Sequence, residues 1–125
     1  MRMTLIFLAG GVGALARYLM SGWVLRLTGP SFPAGTLAVN ATGSLLIGLV
    51  MHVALTTEAI PPDLRIALTI GLLGGFTTYS TFNYETLQLA QRGAWGLATA
   101  NLLATLVLCL VAGIAGLALG RLMTG

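Results

Sequence analysis

The sequence predicts an all-α integral membrane protein that crosses the bilayer with four helices. Hydrophobic residues make up 57% of its 125 residues and charged residues only 7%, whereas typical soluble domains contain about 25% charged residues. Four stretches reach the roughly 20 mainly apolar residues that a membrane-spanning helix needs. We therefore expect the lipid bilayer to surround most of the surface of a single membrane domain, residues 1–125.

The four predicted spans follow one another with only short connectors. They cover residues 4–27, 34–55, 64–89 and 94–122. Every connector contains glycine or proline, which favour turns over continued helix. Trp23 lies near the end of the first span and Trp95 opens the fourth, so both would lie at the same membrane interface, where aromatic residues are enriched.

The distribution of basic residues gives almost no preferred orientation. With four spans, both termini lie on one side, which would carry Arg2, Arg65 and Arg121. The other side would carry Arg26 and Arg92. The positive-inside rule reads such a split either as weak orientation or as insertion in both orientations, with antiparallel pairing of two copies. Because the chain has no basic run, a nucleic-acid partner is not predicted.

The third span departs from a regular helix near its middle. Gly74 and Gly75 are followed by Thr77 and Thr78, and both residue types disfavour a continuous helix. A break at membrane depth is tolerated only where protein or a wet cavity covers the backbone, and it frees carbonyl and N–H groups to bind ions. The alternative is an unbroken helix that packs through Gly71 and Gly75. The hydroxyl-rich run after the glycines favours the break.

The second and fourth spans each carry small or polar residues at every fourth position. The first stripe is Asn40, Ser44, Gly48 and His52, and the second is Asn101, Thr105, Cys109 and Gly113. This spacing puts each stripe on one helical face, which should point away from lipid because polar groups are costly there. For Ser44, Thr105, Gly48 and Gly113, helix packing is favoured over an ion pathway. A carboxamide as deep as that of Asn40 is rarer and indicates function more strongly.

Arg17 is the one charged residue well inside an apolar run. Its charge is permanent, so it cannot shuttle protons as a carboxylate would. Anchoring of the structure, by snorkelling or by binding helix-end carbonyl groups, is the leading interpretation. The alternative is that it draws anions toward a vestibule.

The longest motif, GLLGGFTTYSTF at residues 71–82, resembles the signature of the CrcB/Fluc fluoride channels. Glu85 follows it by three residues. Two further segments support the resemblance, GALARY at residues 13–18 and GTLAVN at residues 35–40, with Gly43 and Gly48 after the second. The resemblance covers essentially the whole chain, including its length and the spacing of its spans.

This resemblance implies a passive fluoride channel in a prokaryotic inner membrane, which lowers cytoplasmic fluoride. The implied assembly is an antiparallel, dual-topology homodimer of four-helix subunits with the third helix broken near mid-membrane. Two pores would run along the subunit contacts. A structural Na⁺ at the dimer centre would be held by the backbone carbonyls of Gly74 and Thr77. The implied fluoride pathway comprises Asn40, Tyr79, Phe82, Ser80, Thr81 and, near a pore mouth, Glu85; weaker candidates are Asn101, Thr105 and Arg17.

These residue types suit a small, strongly hydrated anion, whose water must be replaced by hydrogen-bond donors. Asn40 offers an amide NH₂, and Ser80 and Thr81 offer hydroxyl protons. The rings of Tyr79 and Phe82 are electropositive at their edges. Tyr79 departs from the family's pattern, in which the first pore aromatic is usually Phe, because it adds a hydroxyl group.

Two other function classes remain open. A proton-coupled cation or drug exporter with four spans needs a carboxylate within the membrane, but the first span has none and Glu85 lies toward the end of the third. A non-transporting scaffold held together by small residues would explain the glycines, but not the TTYSTF run. An enzyme is not predicted, because one His, one Cys and three acids lie at no catalytic spacing.

Overall fold

The computed structural model describes all 125 residues, which form helices and no strands. Its elements are α1 (Arg2–Thr28), α2 (Ala34–Thr56), α3 (Pro62–Ile66), a π-helical segment (Ala67–Leu73), α4 (Gly74–Phe76), α5 (Tyr79–Gln91) and α6 (Trp95–Thr124). Helices α1, α2 and α6 are each long and apolar enough to cross a membrane. They correspond to the first, second and fourth predicted spans and indicate a multi-pass membrane protein.

The third predicted span is interrupted, as the sequence indicates. Helix α4 ends at Phe76, and Thr77 and Thr78 are both extended, with φ/ψ of −84°/158° and −152°/118°. The chain becomes helical again at Tyr79. The prediction of a break is confirmed, and the unbroken-helix alternative is wrong. The break falls on the threonines, since Gly74 itself keeps helical angles.

The glycines before the break serve helix packing instead. A Cβ atom on Gly71 would lie 2.9 Å from the Cβ of Ala9, and one on Gly75 would collide with the backbone of Gly10. Only glycine therefore lets α1 approach the π-helical segment and α4 this closely. The packing role that the sequence assigns to this glycine pair holds, although the helix is broken.

Helices α2 and α6 form the most extensive pair in the fold. A Cβ atom on Gly48 would lie 2.6 Å from the carbonyl oxygen of Gly113, and one on Gly116 would overlap the carbonyl oxygen of Leu45. The two stripes of small and polar residues thus meet along part of their length, where the backbones of α2 and α6 are in contact. For Gly48 and Gly113, packing is the correct interpretation.

Most of the surface is apolar. Only 16 of the 125 residues are buried, and large side chains such as Phe7, Leu106 and Ile114 are mostly exposed. The surface also carries one exposed ion pair, in which Arg2 lies 2.7 Å from Asp63 at the start of α3. Such an apolar surface requires lipid or another protein around it.

Replacing Gly116 with alanine should destabilise the protein. The new methyl group would overlap the Leu45 carbonyl oxygen and force α2 and α6 apart, at a cost of about 1–3 kcal/mol. Gly96→Ala, in the same helix, is the matched control, because no neighbouring atom lies within 4 Å of the position that its Cβ would take. The measurement is the temperature at which heating removes half of the monodisperse gel-filtration peak. We expect this midpoint to fall for Gly116→Ala only. Equal midpoints for both variants would contradict the close α2–α6 contact.

Candidate ion pathway at the helix break

An open groove of about 680 Å³ runs along α2, the broken third helix and α6. Apolar side chains supply about half of its lining, and the remainder is small or polar. The predicted site residues that line it are Asn40, Gly74, Thr77, Tyr79, Phe82 and Thr105. Three helices far apart in sequence thus bring four of the nine predicted pathway residues, and both predicted cation-site residues, to one surface.

Asn40 is hydrogen-bonded to the break at both ends of its carboxamide. Its Nδ2 donates to the carbonyl oxygen of Thr78 at 2.9 Å, and its Oδ1 accepts from the Thr78 N–H at 2.8 Å. The two backbone partners fix which amide atom is oxygen, because a carbonyl accepts and an N–H donates. One N–H of the Asn40 amide is left over, in a side chain that lines the groove.

The break also removes the helical partners of several carbonyl groups, among them those of Gly74 and Thr77. In a continuous helix, the Gly74 carbonyl would accept from the Thr78 N–H, and the Thr77 carbonyl from the Thr81 N–H. Here the Thr78 N–H donates to Asn40, and the Thr81 N–H donates to the Thr78 hydroxyl at 3.2 Å. Both carbonyl groups belong to residues that line the groove. The structure has no cluster of three or more His, Cys, Asp or Glu side chains that could hold a metal ion.

Arg17 reaches the break from α1. Its Nε donates to the carbonyl oxygen of Gly75 at 3.2 Å, and the side chain is half-buried. This carbonyl has also lost its helical partner, because Tyr79 lies beyond the break. The contact agrees with the anchoring role that the sequence favours for Arg17, and the residue does not line the groove.

Tyr79 and Phe82 form an aromatic pair in the first turn of α5. Their ring centroids are 5.6 Å apart and the ring planes are inclined by 72°, an edge-to-face arrangement. Phe82 is only 7% exposed, whereas Tyr79 is 77% exposed. The pair therefore has one ring fixed by packing and one ring on the open side of the groove.

The hydroxyl groups at the start of α5 form a local network. The Thr78 hydroxyl accepts from the Thr81 N–H, which caps the helix, and donates to the Thr81 hydroxyl at 3.0 Å. Ser80 Oγ lies 3.4 Å from the Thr78 hydroxyl. Ser80 and Thr81 do not line the groove of the single chain. Thr78 is a site residue that sequence reasoning missed, although threonine is a favoured helix N-cap residue.

Glu85 lies away from the groove, in a small cleft of about 90 Å³. Pro30, Ser31 and Arg92 from the two neighbouring connectors also line this cleft. The Glu85 Oε1 atom is buried and has no hydrogen-bond partner within the chain. The structure thus separates Glu85 from the break, at the end of the fold that carries the connectors after α1 and α5.

The two candidates on α6 have different surroundings. Asn101 is 1% exposed, and its amide donates to the Thr86 hydroxyl at 2.8 Å, which joins α6 to α5 inside the chain. Thr105, one turn further, lines the groove, and its buried hydroxyl oxygen has no partner. Cys109 of the same stripe also lines the groove. Of the α6 stripe, Thr105 and Cys109 are therefore the members at the groove.

Comparison with known proteins agrees with this geometry. The family described as CrcB-like protein, Camphor Resistance (CrcB), matches residues 4–117. A protein of Anaeromyxobacter sp. (strain K) named "Fluoride-specific ion channel FluC" is 53% identical over 99% of this chain and 98% of its own. Proteins of the same name from Sorangium cellulosum and Geobacter metallireducens are 48% and 53% identical, over 93% and 84% of this chain and 91% and 85% of their own. With a match over nearly its full length, the chain belongs to the CrcB family.

Proposed function

We propose that this protein is a fluoride-selective channel that lets fluoride leave the cell passively and so lowers cytoplasmic fluoride. The observation that carries the proposal is the match of nearly the whole chain to relatives named as fluoride-specific ion channels. The groove at the helix break supports it, because donors and ring edges converge there. Bacterial relatives favour a bacterial inner membrane as the location.

The proposed pathway replaces the water around fluoride with protein donors. Asn40 has one amide N–H left after its bonds to Thr78, and Ser80 and Thr81 carry hydroxyl protons beside the break. The edges of Tyr79 and Phe82 are electropositive and attract an anion without a full charge. Thr105 of α6 also lines the groove, and its buried hydroxyl oxygen has no partner. A weak, distributed set of donors lets an ion both enter and leave.

A structural Na⁺ at the break is part of this proposal. Gly74 and Thr77 fit the role, because their carbonyl oxygens have lost their helical partners and hard cations prefer oxygen ligands. Two copies would contribute four such carbonyls. A bound cation would lower the electrostatic cost of holding an anion in a medium of low dielectric constant.

The proposed assembly is an antiparallel homodimer with dual topology. In this dimer each subunit would cross the membrane four times. The third crossing along the chain would consist of α3, the π-helical segment, α4 and α5, with the break near mid-membrane. The groove is open and half apolar, so a second copy could cover it and close a pore. The near-even division of arginines between the two ends supports insertion in both orientations.

Purified protein in liposomes should release fluoride down its gradient and retain chloride. The donors and ring edges of the groove suit a small hard anion, and chloride is larger and less tightly hydrated. A fluoride electrode and a chloride electrode on the same liposome preparation measure both fluxes. Fluoride release no faster than from protein-free liposomes would refute the channel function, and equal chloride release would refute the selectivity.

Removing the groove's anion contacts should slow fluoride efflux by about tenfold or more, the equivalent of about 1.4 kcal/mol. Asn40→Asp places a negative charge in the pathway, and Phe82→Leu removes a ring while retaining much of its packing volume. Phe7→Ala is the control for loss of an aromatic residue, because Phe7 is 79% exposed on α1. Unchanged efflux in both groove variants would refute the assignment of these residues.

Variants locked into one orientation should be inactive alone and active together. Arg26→Gln with Arg92→Gln removes the positive charge from one end, and Arg2→Gln with Arg121→Gln reduces it at the other. The positive-inside rule then drives opposite insertion of the two proteins. Fluoride resistance of cells that express either protein or both is the measurement, with Arg26→Lys plus Arg92→Lys as the charge-preserving control. Full activity of each variant alone would contradict the antiparallel dimer.

A further inference from the structure

We propose that Asn40 is the positioning residue that keeps the third helix broken, besides lining the groove. The predicted effect on sodium binding rests on the cation site proposed above. The predicted conformation of Thr78 does not depend on that site. The break survives because the Asn40 carboxamide bonds to both the N–H and the carbonyl of Thr78, the backbone groups on either side of its Cα.

The Asn40 carboxamide bonds to Thr78 as the backbone of a neighbouring β-strand would, through one donor and one acceptor. The donor and the acceptor of one carboxamide meet the carbonyl and the N–H of the same residue, at 2.9 and 2.8 Å. Only Asn and Gln carry both groups side by side without a charge. An extended residue presents its N–H and carbonyl in this way, and Thr78 has φ/ψ of −152°/118°.

The position of Asn40 is fixed by the packing of α2. Val39, beside it in sequence, is fully buried. One turn after Val39, Gly43 lies so close to the break that a Cβ atom there would collide with the methyl group of Thr77. This close approach of α2 lets the short Asn side chain reach Thr78, and no other side chain in the structure hydrogen-bonds the backbone of Thr78.

The Asn40–Thr78 hydrogen bonds determine which of two acceptors the Thr78 N–H has. In a continuous helix, the Thr78 N–H belongs to the carbonyl of Gly74. While Asn40 holds this N–H, the Gly74 carbonyl is free to face a cation. Loss of Asn40 leaves two unpaired backbone groups, and closing the helix is the simplest way to pair them again. Asn40 thus acts on the cation site through Thr78.

The test combines the conformation of Thr78 with sodium-dependent stability. Asn40→Leu removes both hydrogen bonds while keeping the number and branching of the side-chain heavy atoms, and Asn40→Asp keeps only the acceptor for the Thr78 N–H. Ser44→Ala is the matched control, because Ser44 lines the same groove one turn away and its hydroxyl bonds only to the Asn40 carbonyl of its own helix. NMR ¹³Cα and ¹³Cβ shifts of labelled threonine report whether Thr78 is extended. Thermal midpoints are measured over a NaCl series balanced with choline chloride.

For Asn40→Leu we expect Thr78 shifts that move toward helical values and a half-saturating Na⁺ concentration raised about tenfold or more. Asn40→Asp keeps the acceptor for the Thr78 N–H but has no donor for the Thr78 carbonyl, so its Thr78 shifts should lie between those of the wild type and Asn40→Leu, while its negative charge should slow fluoride efflux. Ser44→Ala should match the wild type in both readouts. If Asn40→Leu does not fold, Asn40→Ser, which cannot make both bonds, takes its place under the same criteria.

Extended Thr78 shifts and an unchanged Na⁺ response in Asn40→Leu would overturn the positioning role. A wild-type protein with no Na⁺-dependent midpoint would refute the proposed cation site instead, and the Thr78 shifts would still decide the role of Asn40. Wild-type liposomes without fluoride efflux would refute the channel, independently of both.

Discussion

The structure depends on how the backbone groups at Thr77 and Thr78 are satisfied. Water is not available inside a bilayer, so each unpaired N–H or carbonyl there costs several kcal/mol. The Asn40 carboxamide pairs with both groups of Thr78, and the Thr78 hydroxyl caps α5. Arg17 supplies a donor to the Gly75 carbonyl from the other side. The break is therefore stabilised by α1 and α2, and the carbonyls of Gly74 and Thr77, which line the groove, are left without hydrogen-bond partners.

Close backbone contact is what brings these partners within reach. Gly75 packs against Gly10 on α1, and Gly43 packs against Thr77 from α2. Because lipid gives helices no hydrophobic reason to associate, small residues that let backbones touch are a main source of packing energy. The same glycines thus hold the helices together and set the distance from which a short Asn side chain can bond to the break.

Local sequence pattern was enough to predict the long helices α1, α2 and α6 and the interruption of the third predicted span. Periodicity marked Asn40 and Thr105, and the family motifs marked Asn40, Tyr79 and Phe82; all four line the groove. Thr78 was missed because its partner lies 38 residues away, a distance that no local pattern reports. Asn101 was given as a weak pathway candidate, yet its amide bonds to Thr86 inside the chain. Such partners are set by tertiary packing, which periodicity does not determine.

The unequal exposure of the aromatic pair indicates what a single chain lacks. Phe82 is held in place by its own chain, whereas most of the Tyr79 ring is open. An anion beside that ring would keep part of its water on the open side, so the ring edge and the Asn40 N–H could replace only some of its hydration. Complete replacement needs a second surface opposite Tyr79. This requirement is the physical reason to propose a pore between two copies, in which the second copy would cover the exposed ring of Tyr79.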